Sequence, residues 1–94
     1  MYRIRIDREA NAFLSRFTEK SNRIIRDHLQ RLKESPYPGH GGDRERISTT
    51  DEEIYRLHIG RSYTVIYQID RDEHIVYITH ILTIEEAHKR YGRL

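Results

Sequence analysis

The chain has 94 residues, of which 36% are hydrophobic, as expected of one small domain with a modest core. Charged residues make up 34% of it but nearly balance, so the net charge of +2 does not by itself indicate a nucleic-acid partner. The absence of cysteine excludes disulfides, cysteine-ligated zinc and thiol catalysis, and it fits a reducing compartment.

Neither a membrane span nor a signal peptide is predicted. No apolar run is long enough to cross a bilayer, and the segment from Met1 to Ile6 lacks the charged head, apolar stretch and cleavage site of a signal peptide. We therefore expect a single domain, 1–94, that is soluble and cytoplasmic and has no membrane partner.

Alternating and β-branched segments predict the strands. Tyr2 to Ile6 alternates apolar residues with arginines, which indicates a first strand. Three later runs, Ile54 to Ile59, Tyr63 to Asp70 and His74 to Leu82, are rich in Ile, Val, Tyr and Thr and are separated by short polar turns. They are typical of sequential antiparallel strands. Arg44 to Ser48 can add a further short strand.

Two helices are predicted after the first strand. Asp7 is a good N-cap, and apolar residues at helical spacing indicate a helix from about Arg8 to Phe17. Either Thr18 or Ser21 can cap a second helix. The apolar stripe of this second helix consists of Ile24, Ile25, His28, Leu29 and Leu32.

The two helices are followed by a connection rich in proline and glycine, Ser35 to Asp43, which we interpret as mobile. Its glycines do not have the spacing of a phosphate-binding P-loop and lack the lysine that follows in that motif. Thr49 to Glu52 is predicted to form a turn into the next strand.

Alternation also predicts the two faces of the sheet. Tyr55, Leu57 and Ile59 share one face. Tyr63 and Tyr67 follow the same alternation, which favours packing of their rings in the core over stacking on RNA bases. The helical hairpin is expected to cover this face and to leave the other for a ligand or partner. The second face is expected to carry four cationic side chains, Arg3, Arg5, Arg56 and His58.

This order of elements predicts an α+β fold. It comprises an N-terminal strand, a helical hairpin packed on one face of a three- to four-stranded antiparallel sheet, and a basic C-terminal tail. No internal repeat or low-complexity tract is present.

Two stretches carry a resemblance to a known family. One is Ile54-Tyr-Arg-Leu-His-Ile-Gly-Arg leading into Tyr63-Thr-Val-Ile-Tyr67, and the other is His80 followed by His88-Lys-Arg-Tyr91. Together with the order of elements over nearly the whole chain, they resemble the RelE/ParE superfamily of toxin–antitoxin toxins. One residue departs from the pattern, because the family often has arginine where this chain has Thr64.

The resemblance implies a toxin held inactive by a cognate antitoxin, which wraps it with helical or extended segments. The RelE branch implies a metal-independent endoribonuclease that cleaves mRNA in the ribosomal A site, so that mRNA and the ribosome are partners. The ParE branch implies an inhibitor of DNA gyrase without chemistry of its own. A third alternative is a degenerate member that only binds its antitoxin or takes part in DNA control.

Metal-independent RNA cleavage uses the 2′-hydroxyl as nucleophile, so the site needs a base, an acid and cations for the phosphorane-like oxygens. A free histidine titrates near ~6.5 and a free tyrosine near ~10, which makes a histidine the easier base and a tyrosine the easier proton donor at neutral pH. We predict that His88 and Tyr91 transfer protons. The alternative interpretations are that Tyr91 only packs on the sheet and that the basic segment only complements a helix dipole.

Arginine is the preferred partner of phosphate because guanidinium offers two parallel donors. Arg61 is therefore predicted to be catalytic with the two proton-transfer residues, and Arg56 to bind RNA. Lys89 and Arg90 are predicted to bind and steer the RNA. The six histidines are scattered and no ligand spacing is present, so no metal or other cofactor is expected.

Overall fold

The computed structural model describes residues 1–39, 42–47 and 53–91, and for residues 90 and 91 it describes the backbone only. Within these ranges the chain forms β1 (Arg3–Ile6), α1 (Arg8–Ser15), α2 (Glu19–Arg31), β2 (Arg44–Arg46), β3 (Ile54–Ile59), β4 (Tyr63–Asp70), β5 (Ile75–Thr83) and α3 (Ile84–Tyr91). None of the helices in these ranges is both long and apolar enough to cross a membrane.

The α+β class is confirmed, but the sheet is larger than predicted. Its order is β1-β5-β4-β3-β2, so the described residues form five strands rather than three or four. β1 is parallel to β5, whereas all strands were expected to be antiparallel. The helical hairpin explains this difference, because a parallel pair requires a crossover connection and α1 and α2 supply part of it.

The helices agree with the predicted pattern except at two places, and one of the two predicted N-caps of α2 is selected. Thr18, not Ser21, is the N-cap of α2, because its Oγ1 accepts a hydrogen bond of 3.2 Å from the Ser21 backbone N–H. α1 ends at Ser15, before the predicted Phe17. Ile24 is 42% exposed and so lies outside the buried stripe.

The core lies between the two helices and one face of the sheet. Its sheet side consists of alternate residues of β3 and β4 and residues of β5, and the predicted positions of Tyr55 and Tyr67 are confirmed, since they are 3% and 0% exposed. The partly buried Tyr63 packs against the same core. The helix side consists of Ala10, Phe13, Leu14, Ile25, Leu29 and Leu32.

The alternation of β5 is interrupted by a register shift. Ile78 and Ile81 both lie in the core although they are three residues apart, because Ile66 pairs with His80 and leaves Thr79 as an extra residue in β5. The Thr79 hydroxyl donates a hydrogen bond of 3.1 Å to the Ile66 carbonyl. This shift keeps an apolar residue at each core position.

The described part of the connection after α2 contacts the sheet through two residues, Pro36 and Tyr37. The buried Tyr67 hydroxyl donates a hydrogen bond of 2.6 Å to the Pro36 carbonyl. Tyr37 packs edge-on against the rings of Tyr2 and Tyr55. Residues 40 and 41 of this connection, and the whole turn predicted at Thr49 to Glu52, lie outside the described residues.

Replacing Tyr67 by phenylalanine is expected to lower the free energy of unfolding by about 1–2 kcal/mol, because the Pro36 carbonyl loses its buried donor. Burial raises the pKa of Tyr67 far above its ordinary value, so the hydroxyl is a donor at every ordinary pH. Tyr63→Phe is the matched control. Its ring packs on Phe17, and its hydroxyl has no hydrogen-bond partner in the described part of the chain. Urea unfolding that shows equal losses for both variants would contradict the assignment.

Candidate functional site

A second layer of side chains lies on the side of the sheet away from α1 and α2. We call this layer the second face. It consists of alternate residues of β3, β4 and β5, namely Arg56, His58, Thr64, Ile66, His80 and Leu82. The prediction that Arg56 and His58 lie opposite the apolar core is confirmed.

The C-terminal segment, predicted only as a basic tail, is the helix α3. A reciprocal capping box begins it: the Glu86 N–H donates to the Thr83 hydroxyl oxygen at 3.2 Å, and the Thr83 N–H donates to the Glu86 carboxylate at 3.3 Å. The Ile84 N–H donates to the Ser62 carbonyl at 3.0 Å, which ties the start of α3 to the β3–β4 turn. Ala87 is only 3% exposed because α3 packs on β4 and β5.

Arg56 is the buried charge of the second face. It is 4% exposed, and its guanidinium forms an ion pair with the carboxylate of Glu45 on the neighbouring strand β2. Glu45 lies directly opposite Arg56 in the antiparallel register, so the two side chains are on the same face. The Nε of Arg56 is buried and has no hydrogen-bond partner among the described residues.

His58 contacts the same carboxylate. Its Nε2 lies 3.4 Å from Oε1 of Glu45, and its backbone N–H donates to the Asp43 carbonyl at 2.8 Å. Burial lowers the pKa of His58 below its ordinary value, the charges of Arg56 and His88 lower it further, and the charge of Asp43 raises it. The lowered pKa favours the neutral form of His58 at neutral pH.

Three of the residues implicated from the sequence have described side chains on α3 or the adjoining turn. His88 and Lys89 are exposed on α3, and Arg61 is exposed in the β3–β4 turn. Arg61 makes no hydrogen bond or ion pair within the described residues. Arg90 and Tyr91 belong to the last turn of α3, but their side chains lie outside what the structure describes.

The structure therefore brings Arg56 and His58 together at Glu45, with the charge of His88 near enough to lower the pKa of His58, and it places Arg61 in the turn that follows β3. Arg3 and Arg5 are exposed on β1, at the opposite edge of the sheet. Three strand spacings, roughly 14 Å, separate β1 from β3. The prediction that Arg3 and Arg5 lie on the same face as Arg56 is confirmed, since Ile4 and Ile6 pack against the core, but the two arginines are at the far edge of that face.

Sequence reasoning missed two members of this site. The sequence places His58 on the second face without a chemical role, and it gives no indication of Glu45. No local motif marks Glu45, because its contact with Arg56 depends on the register between β2 and β3. The capping box from Thr83 to Glu86, in contrast, is a sequence signal that predicts α3.

Thr64, which stands where the family often has arginine, is 1% exposed and lies opposite His58 in the register. Its hydroxyl oxygen is buried without a hydrogen-bond partner in the described ranges. Beside Arg56, the second face continues into a shallow depression of about 500 Å³ lined by Asp7, Arg8, Glu9, Ile54, Ile66, Gln68, Thr79 and His80. In the described residues, no three His, Asp or Glu side chains lie close enough together to hold a metal ion.

Solved structures with this architecture are toxins. RelE in the archaeal RelE–RelB complex from Pyrococcus horikoshii superposes with a TM-score of 0.75 at 21% identity, over 88% of this chain and 94% of that one. Isolated RelE from E. coli gives a TM-score of 0.69 at 16% identity, over 96% and 98%. A YoeB/ParE toxin from Agrobacterium tumefaciens gives 0.68 at 14%, over 86% and 96%. The chain therefore has the RelE-like toxin fold.

The sequence itself matches the family model described as "ParE toxin of type II toxin-antitoxin system, parDE" over residues 4–87. The chain belongs to this family, within the RelE/ParE superfamily of toxins. A sequence comparison with curated proteins found no match.

The ion pair of Arg56 and Glu45 is expected to contribute to stability. Replacing Glu45 by glutamine should lower the free energy of unfolding by about 1–3 kcal/mol, because it leaves a buried guanidinium without its anion. Adding Arg56→Met should recover part of this loss, since the buried charge is then removed as well.

The matched control is Glu53→Gln, which breaks the ion pair between Glu53 and the exposed Arg71 at the other end of the sheet. A smaller loss is expected there because solvent screens an exposed charge. Urea unfolding of Glu45→Gln, Arg56→Met, the double variant and the control Glu53→Gln measures the four losses of stability. The first three form a double-mutant cycle with the wild type. Strictly additive losses for Glu45→Gln and Arg56→Met would show that the two side chains do not stabilise each other.

Proposed function

We propose that this toxin is an endoribonuclease that cleaves mRNA during translation, at the ribosomal A site, and thereby inhibits protein synthesis in the cytoplasm. The observation that supports this proposal is the contact of both Arg56 and His58 with one carboxylate on the second face, with His88 of α3 near enough for its charge to lower the pKa of His58. A guanidinium and two imidazoles in one place can stabilise phosphate oxygens and transfer protons.

The proposed chemistry is attack of the 2′-hydroxyl on the adjacent phosphate, which needs no metal ion. α3 carries His88 and Tyr91, the proton-transfer residues, and Lys89 and Arg90, which steer the RNA. Arg61 is exposed in the turn to which α3 is tied and is available to a phosphate oxygen. The depression beside Arg56 has an apolar floor of Ile54 and Ile66 that offers room for a nucleotide.

Arg56 has a more restricted role than an exposed arginine. Its guanidinium is almost fully covered and stays paired with Glu45 in the proposed reaction, so its positive charge attracts the RNA backbone without a direct contact. The direct contact to a phosphate oxygen is left to the exposed Arg61.

A cognate antitoxin is the proposed protein partner. RelE from Pyrococcus horikoshii and RelBE2 from Mycobacterium tuberculosis are both known as toxin–antitoxin complexes. An acidic antitoxin segment would find complementary charge at His88 and Lys89, both exposed on α3.

Inhibition of DNA gyrase is the second candidate function, and the description of the matching family favours it. The buried ion pair of Arg56 also favours it, because a toxin that acts by binding alone does not require a free guanidinium in the sheet.

Expression of the chain without its antitoxin is expected to arrest growth and to produce new 5′ ends within translated mRNAs, detected by primer extension on total RNA. Arg61→Ala, His88→Gln and Tyr91→Phe should each reduce cleavage by roughly 100-fold or more, the usual effect of losing a proton-transfer or charge-stabilising group. Arg71→Ala is the control, because Arg71 is also an exposed turn arginine but lies at the opposite end of β4.

Intact mRNA together with gyrase-dependent DNA breaks would replace this proposal with gyrase inhibition. Full toxicity of the double variant Arg61→Ala, Tyr91→Phe in the presence of mRNA cleavage would refute the roles given to these two residues. Absence of both activities, with tight binding to the product of the adjacent gene, would select the degenerate, antitoxin-binding alternative.

A further inference from the structure

Glu45 and His58 form a contact that the proposed reaction has not used. The Nε2 of His58 lies 3.4 Å from the Glu45 carboxylate, which also pairs with Arg56. The side chain of His58 is 35% exposed, so a ligand can reach it, whereas Arg56 is almost fully covered.

This contact determines which nitrogen of the neutral ring is free. A carboxylate only accepts hydrogen bonds, so the Nε2 of His58 carries the hydrogen and Nδ1 carries the lone pair. Arg56 in turn fixes the carboxylate, and the His58 backbone is held by the 2.8 Å hydrogen bond to Asp43. The ring is therefore anchored at one nitrogen and basic at the other.

We propose that His58 is the general base of the RNA cleavage reaction, with Glu45 as its positioning residue. This inference rests on the proposed endoribonuclease function and adds to it a base on β3. The proton-transfer residues of α3 are then assigned to the leaving group.

The step balances without a further reactant. Nδ1 of His58 takes the proton of the 2′-hydroxyl as that oxygen forms a bond to phosphorus. The bond between phosphorus and the 5′ oxygen breaks, and a proton from His88 or Tyr91 of α3 neutralises the leaving oxygen. The products are a 2′,3′-cyclic phosphate and a 5′-hydroxyl.

The charged groups around His58 keep it in the form that a base requires. Arg56 on its own strand and His88 on α3 oppose a positive charge on the ring, and Asp43 and Glu45 on the β2 side favour one. Burial has the largest effect, and the pKa of His58 is lowered from its ordinary value near 6.5. The cleavage rate should therefore rise with pH below 6.5, as His58 loses its proton, and level off by neutral pH.

The decisive comparison is His58→Gln with His28→Gln, in cleavage of a reporter mRNA by the purified full-length toxin in a translation extract. His28 is the control because it lies on α2, on the side of the sheet away from the second face, where its Nδ1 is 2.9 Å from the Ile24 carbonyl oxygen. His58→Gln should reduce the rate by roughly 100-fold or more, and His28→Gln by less than about threefold.

Glu45→Gln tests the positioning role through the pH profile. Loss of the carboxylate removes a negative charge beside the protonated ring, so the rising limb of the profile should move to lower pH. The rate should fall less than in His58→Gln, because the glutamine oxygen can still accept from Nε2. If Glu45 has only a structural role, Glu45→Gln will lower the thermal stability without shifting the pH at which the cleavage rate rises, and this result would contradict the positioning role.

Nitrogen NMR of the imidazole in the toxin gives a readout that is independent of activity, and the Nε2–H tautomer is expected. Failure of the wild-type toxin to cleave mRNA would refute the proposed function itself. Cleavage by the wild type and by folded His58→Gln at similar rates, or the Nδ1–H tautomer, would overturn the role of His58 and leave the endoribonuclease function standing.

Discussion

A guanidinium buried in a sheet requires an anion beside it, and in this chain the anion comes from the edge of the sheet. Arg56 projects from β3 under the cover of its neighbours, and Glu45 on the short strand β2 neutralises it. β2 has only three residues, so the ion pair adds to the few backbone hydrogen bonds that hold it. The same carboxylate then orients His58, and the organisation of the second face follows from this one contact.

The two faces of the sheet differ in how well the sequence predicts them. Alternation places Tyr55 and Tyr67 in the core correctly. Successive side chains of a strand point to opposite faces, and burial of apolar area, the main driving force of folding, determines which face is inside. The pairing of Glu45 with Arg56 is not encoded in either strand alone. It requires the register of β2 on β3, which long-range packing determines.

The same distinction applies to the ends of the chain. α3 begins with a capping box in contiguous residues, so its start is predictable from local hydrogen bonding at Thr83 and Glu86. The parallel pairing of β1 with β5 joins residues such as Arg3 and Ile75, which are far apart in the sequence, and a strand pattern does not identify its partner. The position of His88 near His58 combines both effects, since a locally encoded helix is placed by long-range contacts of Ala87.

Family membership does not decide between the two proposed activities, because the fold is compatible with both. The two activities differ in whether they need free positive charge on the second face, and the positions to examine are Thr64 and Arg56. Thr64 supplies no positive charge where the family often has arginine, and Arg56 is compensated by Glu45. A nuclease site on this face must therefore obtain its free cations from α3 and the β3–β4 turn, where Lys89 and Arg61 are exposed. A toxin that inhibits by binding has no such requirement. Nuclease activity therefore requires that these exposed cations and His58 contact the same bound RNA.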